Sequence, residues 1–211
     1  MQKLTRGLGW VVGILVVLAL VLRLVALDVW TMPSDPYLVS AAPTLGPADT
    51  VIMLRRGTPA FGDLVRCTDP QDANSWVLGR IAGVPGDDVE IEGHRLTVNG
   101  TTYRGETACA QQKVFVTHPN TLKEVELSCE VVPMGGGWHY SLSAMGQFTE
   151  QKKTAHVGPG KVFLVSDNSA MHDDSRDFGL VDFETCTQRP LLRLWGTTAW
   201  ADDANRFSWV H

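Results

Sequence analysis

The chain has 211 residues, room for one modest domain and an additional N-terminal segment. Hydrophobic residues at 44% and charged residues at 19% make a globular composition and exclude a disordered one. A formal net charge of -5 excludes a nucleic-acid partner, which needs a basic stripe.

Residues 8–22 are continuously apolar or glycine, and the run resumes over 24–27 after Arg23. As a helix, 8–27 crosses a hydrocarbon core of roughly 30 Å. Arg23 near the outer end can snorkel to the headgroups. Lys3 and Arg6 precede the run, while Asp28 and Asp35 follow it. This polarity predicts a cytoplasmic 1–7, an anchor over 8–27 and an extracytoplasmic domain over 28–211, in a single-pass inner-membrane protein. A cleaved secretory signal is the competing reading. Against it, the apolar core is long and the only small-residue site downstream lies near Ser40 to Ala42.

Past the anchor, short apolar stretches alternate with Gly, Pro and Asp turns. Residues 50–54, 63–67, 76–78, 88–91, 95–98 and 161–165 read as strands, and Asn99-Gly100 as a hairpin turn. No long helical periodicity follows the anchor, so the soluble part is expected to be mainly antiparallel β. Gly135-Gly136-Gly137 and 141–160 read as loops. The tail carries Trp195, Trp200 and Trp209, suited to packing or to a half-wet membrane interface.

Cys67, Cys109, Cys129 and Cys186 have no zinc-like spacing, and no metal or cofactor is expected. The midpoint of Cys109 and Cys129 is Pro119, inside the polar turn 117–121, with strands over 114–116 and 125–127. Equal distances from the turn predict that these two sulfurs meet. Buried free thiols are the alternative.

Three strings in order carry the chemistry. Ser40-Ala41-Ala42-Pro43-Thr44-Leu45 follows the anchor. Gly62-Asp63-Leu64-Val65 leads to Arg80-Ile81-Ala82-Gly83-Val84-Pro85-Gly86-Asp87. Ser166-Asp167-Asn168 is followed by His172 and Asp174-Ser175-Arg176. Together they resemble the boxes of signal peptidase I, the membrane-anchored serine endopeptidase that removes signal peptides. The resemblance covers most of 40–179. It implies a coiled antiparallel β domain behind one membrane helix, and exported preproteins as partners, cut after small residues. It also implies that Ser40 is the nucleophile and that Arg80, Asp167, Ser175 and Arg176 support the site.

One position departs from the pattern. The family's general base, a lysine or histidine, directly precedes the arginine of the second box, and here that residue is Gly79. A serine hydroxyl needs a base to accept its proton. His172 stands where the family has the serine that hydrogen-bonds the lysine, so one reading is a Ser40–His172 dyad oriented by Asp174 or Asp173. The other is a degenerate homologue, a membrane-tethered peptide- or partner-binding protein that does not cut. Lys161 reads as a solvated strand-end lysine, and Lys113, Lys123, Lys152 and Lys153 have less claim still.

Overall fold

A computed structural model describes the backbone of residues 2–144, 152–196 and 206–211, and all their side chains except 2–9, 19, 22, 24, 36 and 37. Trp200 lies outside this set.

The N-terminal helix α1, Gln2–Val25, ends before the expected boundary at 27. Leu27 already belongs to strand β1, Leu27–Thr31. Carbonyls in the last turn of a helix lack intrahelical partners. Here Arg55 Nη2 donates to Arg23 O at 2.9 Å and Arg56 Nε to Val25 O at 2.8 Å, tying the helix end to the β domain. Every described side chain of α1 from Trp10 to Val21 is exposed. Among the described residues no helix is long and apolar enough to cross a membrane, so the anchor rests on the sequence reading.

The remainder is antiparallel β in four sheets. The first orders β1, β2 (Thr50–Leu54), β14 (Arg189–Trp195) and β15 (Ser208–Trp209). The second orders β13 (Val181–Asp182), β12 (Lys161–Val165), β4 (Trp76–Gly83) and β3 (Leu64–Thr68). Met53, Leu64 and Leu78 from these sheets share a buried cluster with Ala41 and Leu45, which packs the loop after β1 onto them. The third sheet orders β11 (Lys153–His156), β5 (Asp88–Glu92), β6 (Arg95–Val98) and β7 (Thr101–Tyr103). Its β6–β7 turn uses Asn99 and Gly100, with φ of 49° and 80°; a type I′ turn demands two positive φ values.

The fourth sheet is a meander of β10 (Gly137–Ala144), β9 (Glu124–Met134) and β8 (Thr107–Thr117). Strands β10 and β11 take residues 141–144 and 153–156 of the loop expected over 141–160, of which 145–151 lie outside the described residues. The alternation of β10 was hidden because exposed Trp138 and Tyr140 sit on its outer face and a buried histidine between them on the other. Cys109 joins Cys129 within this sheet. The hairpin pairs Thr117 with Glu124, so its centre lies beyond Pro119, and a shift between Ala108 and Lys113 restores the cysteine register. A second disulfide links Cys67 to Cys186, which local spacing did not reveal.

Candidate active site

Ser40 sits on a 3-10 turn, Pro36–Ala41, and is buried at 3% exposure. Its carbonyl accepts from Asn168 N at 2.9 Å, and Asn168 Nδ2 donates to Val39 O at 3.0 Å. Asn168 also caps the turn Ser169–Met171, accepting from Ala170 N and Met171 N. One asparagine thus fastens the serine's turn to the start of the segment that ends in His172. No hydrogen bond to Ser40 Oγ occurs among the described residues.

Two buried ion pairs frame this segment. Arg80 of β4 donates from Nε to Asp167 Oδ1 and from Nη2 to Asp167 Oδ2, both at 2.8 Å. Its remaining donors reach Gly62 O and His211 O. Thr44 Oγ1 donates to Asp167 Oδ2, drawing the loop after Ser40 onto the same carboxylate. Burial pushes the Asp167 carboxyl up, but the charge and hydrogen bonds of Arg80, with His139 and Thr44, hold it below the ordinary range. On the far side of that loop, Arg193 pairs with Asp49 at 2.8 Å and donates to Thr44 O.

Asp174 forms the second pair. Its two oxygens accept from Arg176 Nε at 2.9 Å and Arg176 Nη2 at 2.8 Å, and from the backbone of Arg176 and Ser166. Burial again raises this carboxyl, and Arg176 more than reverses it. Ser175 Oγ accepts from Leu164 N at 2.9 Å, holding strand β12 to the short helix α2, Ser175–Phe178.

Asp174 and Asp173 are the carboxylates expected to orient His172, and the structure adds a third beside them. Both oxygens of Asp174 are engaged by Arg176. Asp173 is pushed up by burial and by the charges of Asp177, Asp174 and Asp69. The carboxylate on His172 is Asp177, whose Oδ2 lies 2.7 Å from Nδ1. The same oxygen accepts from Asp174 N at 3.1 Å in the capping box that opens α2. Donor atoms of His172, Asp174 and Asp177 lie within 4.8 Å of one another. The Arg176 guanidinium among them opposes a cation, and the cluster reads as an ion-pair network.

Gly79 is buried in β4, opposite Val65 of β3. A Cβ built there comes within 3.0 Å of Leu164 Cβ and 3.4 Å of Val165 O. A side chain at 79 would therefore need the neighbouring strand to give by a few tenths of an ångström. Lysines do not fill the gap: among the described residues none is buried, and Lys161 pairs with Asp182 at 2.6 Å on the surface.

Sequence reasoning missed His139. It points inward from β10 between exposed Trp138 and Tyr140, at 5% exposure, with Nε2 3.9 Å from Asp167 Oδ1. Its Nδ1 has no hydrogen-bond partner among the described residues. Burial lowers its pKa to about 4, with Asp167 raising it and Arg80 lowering it, so the ring is neutral at ordinary pH. Alternation around Trp138 and Tyr140 was its signal, readable once β10 is known to be a strand.

The chain matches the profile of "Signal peptidase, peptidase S26" over residues 7–195. It is 27% identical to a "Signal peptidase I" of Pseudomonas fluorescens over 75% of this chain, and spans 58% of that protein's length. It is 22% identical to a "Signal peptidase I" of Rickettsia akari, over 93% of this chain and 82% of that one. A crystal structure of a signal peptidase I from Enterococcus faecalis V583 aligns with TM-score 0.41 and 18% identity, over 63% of this chain and 97% of that one. With 7–195 matched, the chain belongs to the signal peptidase family, peptidase S26.

Proposed function

We propose that this chain is a membrane-anchored serine endopeptidase in which Ser40 is the nucleophile and His172, oriented by Asp177, the general base. The observation that carries the reading is the 2.7 Å contact between His172 Nδ1 and Asp177 Oδ2. A carboxylate on Nδ1 fixes the tautomer and directs Nε2 as the basic nitrogen, the arrangement that serves serine hydrolases of unrelated folds. Asp177 is itself held by the capping box of α2.

Ser40 Oγ attacks the scissile carbonyl while the imidazole takes its proton. The tetrahedral adduct collapses, the C–N bond breaks, and the proton passes to the leaving amine. Water activated by the same imidazole then hydrolyses the ester and frees Ser40. The resting hydroxyl lacks a partner, so substrate must draw Ser40 and His172 together, as is common for apo sites.

Family membership supports exported preproteins as substrates, cut after small residues. The pairing of β12 with β4 stops at Val165 and Arg80, which leaves residues 76–79 without a strand on that side among the described residues. An extended signal peptide is suited to such an edge. The anchor rests on the sequence reading, and the exposure of α1 is consistent with it. Trp10 is 77% exposed, Ile14 62% and Val17 60%, an apolar helix surface that a bilayer would cover.

A second reading, a noncatalytic peptide-binding homologue, is favoured by Gly79 itself, which leaves no basic side chain before Arg80, and by Leu164, which packs tightly over that position. The two separate in one set of variants. His172→Ala and Asp177→Asn should each abolish preprotein cleavage while peptide binding persists. Full activity in His172→Ala removes the dyad. Binding without cleavage in the wild type favours the second reading.

A further inference from the structure

Beside the nucleophile runs a groove of about 550 Å³ that the proposed cleavage chemistry does not use. One wall is strand β8, and four consecutive residues, Val114, Phe115, Val116 and Thr117, line it. Side chains alternate along a strand, so a groove meeting one face touches every second residue. Contact with four in a row means that the groove follows the backbone edge.

That edge is unpaired. β8 is the outer strand of its sheet, bonded to β9 on one side and to no strand on the other among the described residues. The facing wall includes Pro43 and Pro47, which have no N–H and cannot complete a ladder. Backbone donors and acceptors along an open edge are best satisfied by another extended chain. Val39 and Ala42 also line the groove, so it opens at the two flanks of Ser40. Its described charges are Asp35, Asp49 and Arg193, and Arg193 is paired with Asp49. This acidic balance disfavours a fatty acid or an anionic headgroup and accepts a neutral or basic peptide.

We infer that the edge of β8 receives the extended stretch of preprotein next to the scissile bond, so that the substrate adds as a strand to the disulfide-braced meander. The inference rests on the peptidase reading and extends it to a second contact surface with the same substrate.

The test uses full-length Ser40→Ala protein in detergent, which binds without cutting. Photoreactive benzoyl-phenylalanine replaces Phe115 or Leu122, which are 58% and 71% exposed, or Leu38 on the nucleophile's own turn. The probe is a biotinylated preprotein segment spanning its cleavage site. Crosslinks from positions 115 and 122 to one contiguous stretch beside that site, lost on adding unlabelled peptide, support the inference. Crosslinks from position 38 alone overturn it and leave the peptidase reading standing. Crosslinks from 115 and 122 only to detergent or lipid, to a second copy, or to another part of the same chain also overturn it. Failure at all three positions overturns both.

Discussion

Replacing Arg80 with Met removes one side of a buried charge pair and keeps most of the volume. Arg80 is 2% exposed and Asp167 1%, and of the four guanidinium hydrogen bonds lost, the two to Asp167 are fully buried. Asp167 would keep Thr44 Oγ1 and a neutral imidazole 3.9 Å away. Breaking one partner of such a pair costs about 3–5 kcal/mol, because the remaining ion is buried without compensation. The cost depends on pH with a definite sign. In the wild type Asp167 is held below the ordinary range, so its contribution is present above the usual carboxylate pKa and lost as pH falls. In the variant burial prevails, the carboxyl moves up, and protonation relieves the penalty as pH falls. The gap between the two proteins should therefore narrow in acid. Urea unfolding of detergent-solubilised protein, followed by tryptophan fluorescence and extrapolated linearly, measures it. A loss under about 1 kcal/mol at neutral pH, within the range of an exposed pair, or a gap independent of pH, would refute the reasoning.

His139 gives a second pH signature. Its folded pKa of about 4 lies below the ordinary 6.5, so the unfolded chain binds the extra proton between those values and stability falls as pH drops through that window. The full effect is about 3 kcal/mol, and His139→Gln should flatten that part of the stability–pH curve. An unchanged curve would show that the ring is not buried neutral. The disulfides differ in span, 20 residues for Cys109–Cys129 and 119 for Cys67–Cys186. Removing the first should cost about 3 kcal/mol and the second more, about 4–5 kcal/mol on the loop-entropy account. Thermal unfolding of the paired Cys→Ser variants measures both, and a larger loss for the short loop would contradict the ordering.

The strands readable in the sequence were those whose apolar residues form unbroken short runs bounded by turns. Residues 50–54, 95–98 and 161–165 are β2, β6 and β12 to the residue. The stretch read as 76–78 continues to Gly83, because Gly79 and Arg80 look like a strand's end until Asp167 neutralises the arginine inside the core. β10 was missed because its outer face shows Trp138 and Tyr140 while its inner face hides a histidine. Family motifs located Ser40, Arg80, Asp167, Asp174 and Arg176. They could not show which carboxylate meets His172: that choice is made by the capping box of α2, which turns Asp177 back towards the imidazole. Nor could they pair Cys67 with Cys186, which are brought together by long-range contacts such as the bridge between Arg66 of β3 and Gln188.

The measurement closest to the central claim is cleavage of a signal-peptide-bearing preprotein by the purified, detergent-solubilised protein, beside its Ser40→Ala form. Products are sequenced at their new N-termini. A Ser40–His172–Asp177 peptidase should release one mature N-terminus after a small residue in the wild type and none in Ser40→Ala. Equal cleavage by both forms, or no cleavage of any preprotein by a wild type that binds it, would contradict the account.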